Sequence, residues 1–135
     1  MAYGDLLADV VQSSTSGVAP VFKDGNGTQT GTLCRAWVNY KGTATRGINA
    51  SFNVSSVTYN STGDYTVTFT NALTDANYAV SVGDISANTN PHAMPFVSSA
   101  NLATYKVAGS FRSVTNVASS QAAEDSGSLS MAFFR

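Results

Sequence analysis

The sequence predicts an all-β protein, an antiparallel and jelly-roll-like β-sandwich at residues 13–135 behind a short N-terminal arm at residues 1–12. Three observations predict it. The first is alternation. Ile48, Ala50, Phe52 and Val54 interleave with Asn49, Ser51, Asn53 and Ser55, and Tyr65, Val67 and Phe69 interleave with Asp64, Thr66, Thr68 and Thr70. Successive side chains of a strand leave on opposite sides, so this rhythm suits strands with one buried face. The second is composition. Charged residues are 11% of the chain, less than half the usual share of about 25%. Ser, Thr, Asn and Gly supply the polarity instead. These residues disfavour helices, because their side chains compete for backbone hydrogen bonds or, in Gly, add backbone entropy. The third is punctuation, with short apolar runs separated by turn formers at roughly even spacing.

Taken in order, the arm carries Leu6, Leu7, Val10 and Val11 with Asp5 and Asp9 between them. It reads as a docking peptide or as an edge strand of the domain. Val18–Phe22 is a weak strand broken by Pro20, and Lys23–Gly27 is a turn by composition. Leu33–Tyr40 is a strand with Cys34, Ala36, Val38 and Tyr40 on its apolar face and Leu33, Arg35, Trp37 and Asn39 on the other. Lys41–Gly47 is a loop. Ile48–Thr70 reads as a hairpin turning at Asn60–Gly63. Past Val54 the apolar positions change from even to odd at Val57 and Tyr59, which predicts a β-bulge at Ser55-Ser56. Asn71–Asn77 is a loop, and Tyr78, Val80 and Val82 begin the next strand. Gly83–Phe96 is read as a long exposed loop, since Pro91 and Pro95 obstruct ladder pairing. Leu102–Val107 and Phe111–Val117 form a hairpin about Ala108–Ser110, Ser119–Ser128 is a loop, and Leu129–Phe134 closes the chain as a strand.

The chain has 135 residues, which fits one domain large enough to fold without disulfide or metal. Cys34 is the sole cysteine, so no intramolecular disulfide forms. The start lacks the basic and apolar segments of a signal peptide, and no apolar run reaches membrane-spanning length. Synthesis in a cytoplasm is expected, and the sequons at Asn26, Asn49, Asn53 and Asn60 then follow from composition alone. A net charge of −1 with no basic run argues against nucleic acid as a partner. So uncharged a surface suits an assembly better than isolation.

Catalysis needs paired carboxylates or a nucleophile with a base. Most acids sit beside Gly, Asn or Thr, where Asp caps turns. His92 is the only histidine, so no His-based metal cluster assembles, and Cys34 lies on an apolar strand face. No catalytic, metal or cofactor site is expected. Loop aromatics and amides remain as candidate receptor contacts, namely His92, Met94 and Phe96 in the long loop and Tyr59 with Asn60 at the hairpin. Core packing is the plain alternative for Tyr59 and Phe96. Trp37 reads either as core or, with Arg35, as part of a subunit interface, where aromatics and Arg are enriched.

The block 34–80 resembles a domain found at the C-terminal tips of bacteriophage tail fibres, especially in phages of marine and cyanobacterial hosts. The runs CRAWVN (34–39), SFNVSSVT (51–58) and GDYTV-x-FTNAL-x-DANYAV (63–80) carry the likeness. The stretch 13–33 and the closing Phe134-Arg135 are also similar, so it extends over all but about the first dozen residues. The resemblance implies a non-enzymatic, β-rich virion protein, homotrimeric and displayed on the particle exterior. Fibres with this domain usually carry a long shaft before it, whereas only the arm precedes it here. Leu6, Leu7, Val10 and Val11 are therefore expected to anchor a small fibre, knob or capsid decoration protein to another virion protein. The other reading is a receptor-binding tip that recognises host surface polysaccharide.

Overall fold

The computed structural model describes residues 10–12, 14, 20–88, 91–92 and 102–135. Leu6 and Leu7 of the arm, and Met94 and Phe96 of the long loop, lie outside the described residues. The chain divides into two compact units, Met1–Leu33 and Cys34–Arg135.

In the first unit, β1 (Phe22–Lys23) pairs antiparallel with β2 (Gln29–Gly31). Their turn is set by Asp24, whose Oδ1 accepts from the Asn26 and Thr28 amides at 2.9 and 2.8 Å. Short acidic side chains hold turns in this way. Val10 and Val11 are exposed.

The second unit is a sandwich of two four-stranded antiparallel sheets. One has the order β4 (Gly47–Phe52), β3 (Cys34–Lys41), β10 (Ser126–Phe134), β7 (Ala79–Ser86). The other has β5 (Val54–Ser61), β6 (Asp64–Phe69), β9 (Ser110–Val114), β8 (Lys106–Val107). One helical turn, α1 (Leu102–Tyr105), precedes β8. Sequence neighbours pair within a sheet at β3–β4, β5–β6 and β8–β9, and the chain changes sheet between β4 and β5.

The alternating positions meet between the sheets. Ala36, Val38, Tyr40, Leu129, Met131 and Phe133 from the first sheet pack on Tyr65, Val67, Phe69 and Phe111 from the second. Phe133 has no solvent exposure, and the rings of Phe69, Phe111 and Tyr78 lie 4.9, 5.6 and 5.9 Å from it, all near edge-to-face. Such pairs add about 0.5–1.5 kcal/mol each beyond area burial. The buried Tyr78 keeps its hydroxyl satisfied by donating toward the Val107 and Ser110 carbonyls. Burial pushes that hydroxyl well above the ordinary tyrosine range.

Several expectations need correction. The hairpin is β5–β6, turning at Thr62-Gly63. Ile48–Phe52 belongs to the other sheet and pairs with β3. Asn53, with φ of 54°, turns the chain between the two sheets, a backbone that Asn tolerates better than most residues. Its side chain fixes the corner by donating to the Arg35 and Asn71 carbonyls and accepting from the Asn71 amide. The apolar set of β4 is not buried. Ile48 is 39% and Phe52 55% exposed, because β4 is an edge strand and Phe52 stands opposite Trp37 on the sheet's outward face. The expected register shift at Ser55-Ser56 is present. Gly83–Ser86 are strand rather than loop, and Leu102–Tyr105 is helical rather than extended.

Candidate functional site

Across an antiparallel ladder, directly opposed residues share a face. The outward face of β4-β3-β10-β7 therefore reads in rows. One row is Phe52, Trp37, Ala132, Ser81, and the next is Ala50, Asn39, Ser130, Gly83. Together they shape a shallow groove of about 380 Å³, floored by Ser81, Gly83, Ser130 and Ala132 with Trp37 and Asn39 beside them. Trp37 is 39% exposed, so it faces out from the sandwich rather than into its core. Asn39 is held in place. Its Nδ2 donates to Ser128 Oγ at 3.2 Å and Ser130 Oγ at 2.8 Å, and its Oδ1 accepts from Asn49 Nδ2 at 2.7 Å. An exposed indole beside a fixed amide and hydroxyls combines an apolar plate with directional polar groups, the mixture that orients small ligands.

On the inward side of β7, Asp84 meets His92. His92 Nδ1 lies 2.7 Å from Asp84 Oδ2, and Nε2 lies 3.6 Å from Glu124 Oε1. The His92 and Asp84 side chains are 2% and 4% exposed. Asn88 Nδ2 donates to the same Glu124 oxygen. His92 also bridges Val117 through its backbone, so this cluster ties the segment after β7 to the one after β9. Asp84 and Glu124 flank the imidazole on opposite sides, and no three metal-binding side chains gather as an ion site among the described residues. His92, expected as an exposed receptor contact, has its ring turned inward instead.

Two further clusters hold the sandwich ends. Asp125 Oδ1 accepts from the Gly63 amide at 2.8 Å and the Tyr65 hydroxyl at 3.1 Å, while Oδ2 takes Arg46 at 2.8 Å. Burial works to raise the Asp125 carboxyl, but the Gly63 amide, Arg46 and Tyr65 together outweigh it and hold it below the usual range. Arg46 also lies 3.8 Å over the Tyr59 ring. Asp64 accepts Arg112 Nε at 2.8 Å and Asn60 Nδ2 at 3.0 Å, and the Arg112 bond leads in depressing its carboxyl. The other Asn60 contact is to Thr66 Oγ1 at 2.9 Å. Tyr59 and Asn60 thus sit within the β5–β6 hairpin's own bonding, apart from the groove. Arg35 is half-buried on the strand that carries Trp37. Among the described residues, Trp37 is the one candidate named from sequence that lines the groove. Asn39, Ser81, Gly83 and Ser130 were missed, because their signal is the cross-strand register and not spacing along the chain.

No family model and no curated protein matches the chain. Among solved structures it is similar to the phiAB6 tailspike in complex with three-repeated oligosaccharides of Acinetobacter baumannii surface polysaccharide. The TM-score is 0.51 at 20% identity, over 95% of this chain and 30% of the tailspike. The chain thus spans less than a third of that protein's length. At this identity the likeness is one of fold: an all-β chain whose architecture recurs in a phage tailspike.

Proposed function

We propose that this chain is an exterior component of a bacteriophage particle and that its sandwich recognises host surface polysaccharide. The outward face of β3, β10 and β7 is the contact surface. The observation that carries this reading is the exposed Trp37 beside a small-residue groove with Asn39 locked in position. A sugar ring offers an apolar face for stacking and hydroxyls for hydrogen bonding, and this surface answers both. The shared fold with a tailspike solved with oligosaccharides supports the reading. Binding proceeds without catalysis. The test is an array of bacterial surface polysaccharides probed with the purified chain. Binding that falls at least tenfold in Trp37→Ala supports the proposal, and wild-type silence on the array and on host cells defeats it.

A second reading is favoured by the exposed apolar residues Trp37, Phe52 and Ile85 in a chain of low charge. In it the protein is a homotrimeric fibre, knob or decoration subunit, with Arg35 and Trp37 in the subunit contact and the 1–12 arm anchoring it to capsid or tail. Here Trp37→Ala lowers the molecular mass seen by light scattering, and deleting residues 1–12 leaves the trimer intact but prevents its joining particles. Incorporation of the truncated protein would count against this anchor.

A further inference from the structure

The groove floor holds a glycine that the fold does not require. Gly83 lies in the middle of β7, and its backbone is not in the left-handed region. A Cβ built there meets nothing closer than Ser130 Cβ at 4.0 Å. By contrast, Gly63 has φ of +69°, and a Cβ there would strike the backbone of Thr115 and Glu124. Glycine inside a strand weakens it, and often marks a place where a ligand approaches the backbone closely. The neighbours of Gly83 on this face, Ser81, Ser130 and Ala132, are small as well. The floor is thereby lowered beside the exposed Trp37 side chain.

The groove is also uncharged. Its polar side chains are Asn39, Ser81 and Ser130, in a chain with seven basic and eight acidic residues. A carboxylated sugar would lose water there with no cation among the lining residues to answer it, which is unfavourable. Arg35 stands two residues from Trp37 along β3, outside that lining. A neutral ring loses only hydroxyl hydration, which the Ser and Asn groups replace.

We propose that the groove takes an uncharged hexose or N-acetylhexosamine unit of a polysaccharide, stacked on Trp37 with its edge lowered over Gly83 toward the Ser81 and Ser130 hydroxyls. This rests on the polysaccharide-recognition reading above and adds the class of sugar and its seat.

The test pairs an array of neutral and acidic oligosaccharides with the variant Gly83→Val. Valine suits an edge strand, so the variant melts no lower than wild type while its side chain fills the floor. The expected result is binding to neutral sugars that persists in about 1 M salt, where exposed charge interactions are screened, and that drops at least tenfold in Gly83→Val. Binding confined to acidic sugars, or abolished by salt, overturns the neutral assignment and leaves polysaccharide recognition standing. A folded Gly83→Val that binds as wild type overturns the seat. Should Gly83→Val fail to fold, Ser81→Val covers the same floor from the exposed side of the same strand and is read by the same criteria. Wild type silent on every sugar overturns both readings.

Discussion

Replacing Asp125 by alanine tests which contacts close the end of the sandwich where β6 meets the start of β10. One carboxylate oxygen takes both the Gly63 amide and the Tyr65 hydroxyl, and the other takes Arg46. Tyr65 is fully buried and its hydroxyl in turn accepts from the Ser126 amide at 3.1 Å, so Asp125 anchors a chain of bonds that runs into the core. A hydrogen bond to a charged group is worth about 1.5–3 kcal/mol net. Two bonds that share one oxygen fall at the low end, and Asp125→Ala is expected to cost about 3 kcal/mol in all. For a chain between the small and mid-size classes this lowers Tm by about 10 °C. The Arg46 arm is solvent-exposed, where ion pairs contribute little. Urea unfolding followed by tryptophan fluorescence and far-UV circular dichroism gives the free energies. Asp125→Asn keeps an acceptor for Gly63 and Tyr65 and should lose less than half as much as Asp125→Ala. The reasoning is refuted if Asp125→Ala lies within about 0.5 kcal/mol of wild type, the range of featureless surface changes. It is equally refuted if Arg46→Gln costs as much as Asp125→Ala.

Three other outcomes are expected. Phe133→Ala empties the centre of the aromatic cluster and should destabilise by about 3–5 kcal/mol in the same denaturation assay. His92→Ala leaves the buried Asp84 without its 2.7 Å partner and should cost about 2–3 kcal/mol, with hydrogen exchange rising first at Asn88, Val117 and Ala118 beside the cluster. Stability should also decline in acid. Asp64, Asp75 and Asp125 all ionise more readily in the fold than in the unfolded chain, Asp75 being drawn down to about 2 by Arg135. A depressed carboxyl contributes stability above its unfolded value near pH 3.9 and loses it as pH falls through the folded value. The denaturation midpoint should therefore drop between about pH 4 and pH 2, and a midpoint that stays flat through that window contradicts the assignment.

Most strands were legible because their alternation is local. Tyr65, Val67 and Phe69, and likewise Leu129, Met131 and Phe133, show which side is buried in their own spacing. The same rule misled at Ile48–Phe52. Alternation reports that two faces differ, but not that another layer covers the apolar one. That depends on β4 being an edge strand and on the chain crossing to the second sheet at Asn53, neither of which leaves a period in the sequence. Trp37 was ambiguous for the same reason. The groove was invisible because it is assembled across β3, β10 and β7, from residues as far apart as Asn39 and Ser130. Asp84, within the stretch read as a long exposed loop, is a strand residue whose inward direction follows from the continuation of β7 to Ser86.

The scarcity of charge connects fold to site. Arg46, Arg112 and Arg135 each grip a carboxylate distant in sequence, at separations of 79, 48 and 60 residues. These pairs close a hairpin end, brace the central β6–β9 ladder and fasten the C-terminus to the loop at Asp75. Charge used this way fixes elements that alternation alone leaves free to slide. It is absent from the lining of the groove on β3, β10 and β7, while Arg35 and Lys41 lie farther along β3 on the side that carries Trp37 and Asn39. Natural sheets commonly carry charge on exposed surfaces and edges to discourage unwanted pairing. The groove lined by Trp37, Ser81, Gly83, Ser130 and Ala132 carries no charged side chain, and under the proposal above an uncharged partner gains from that absence.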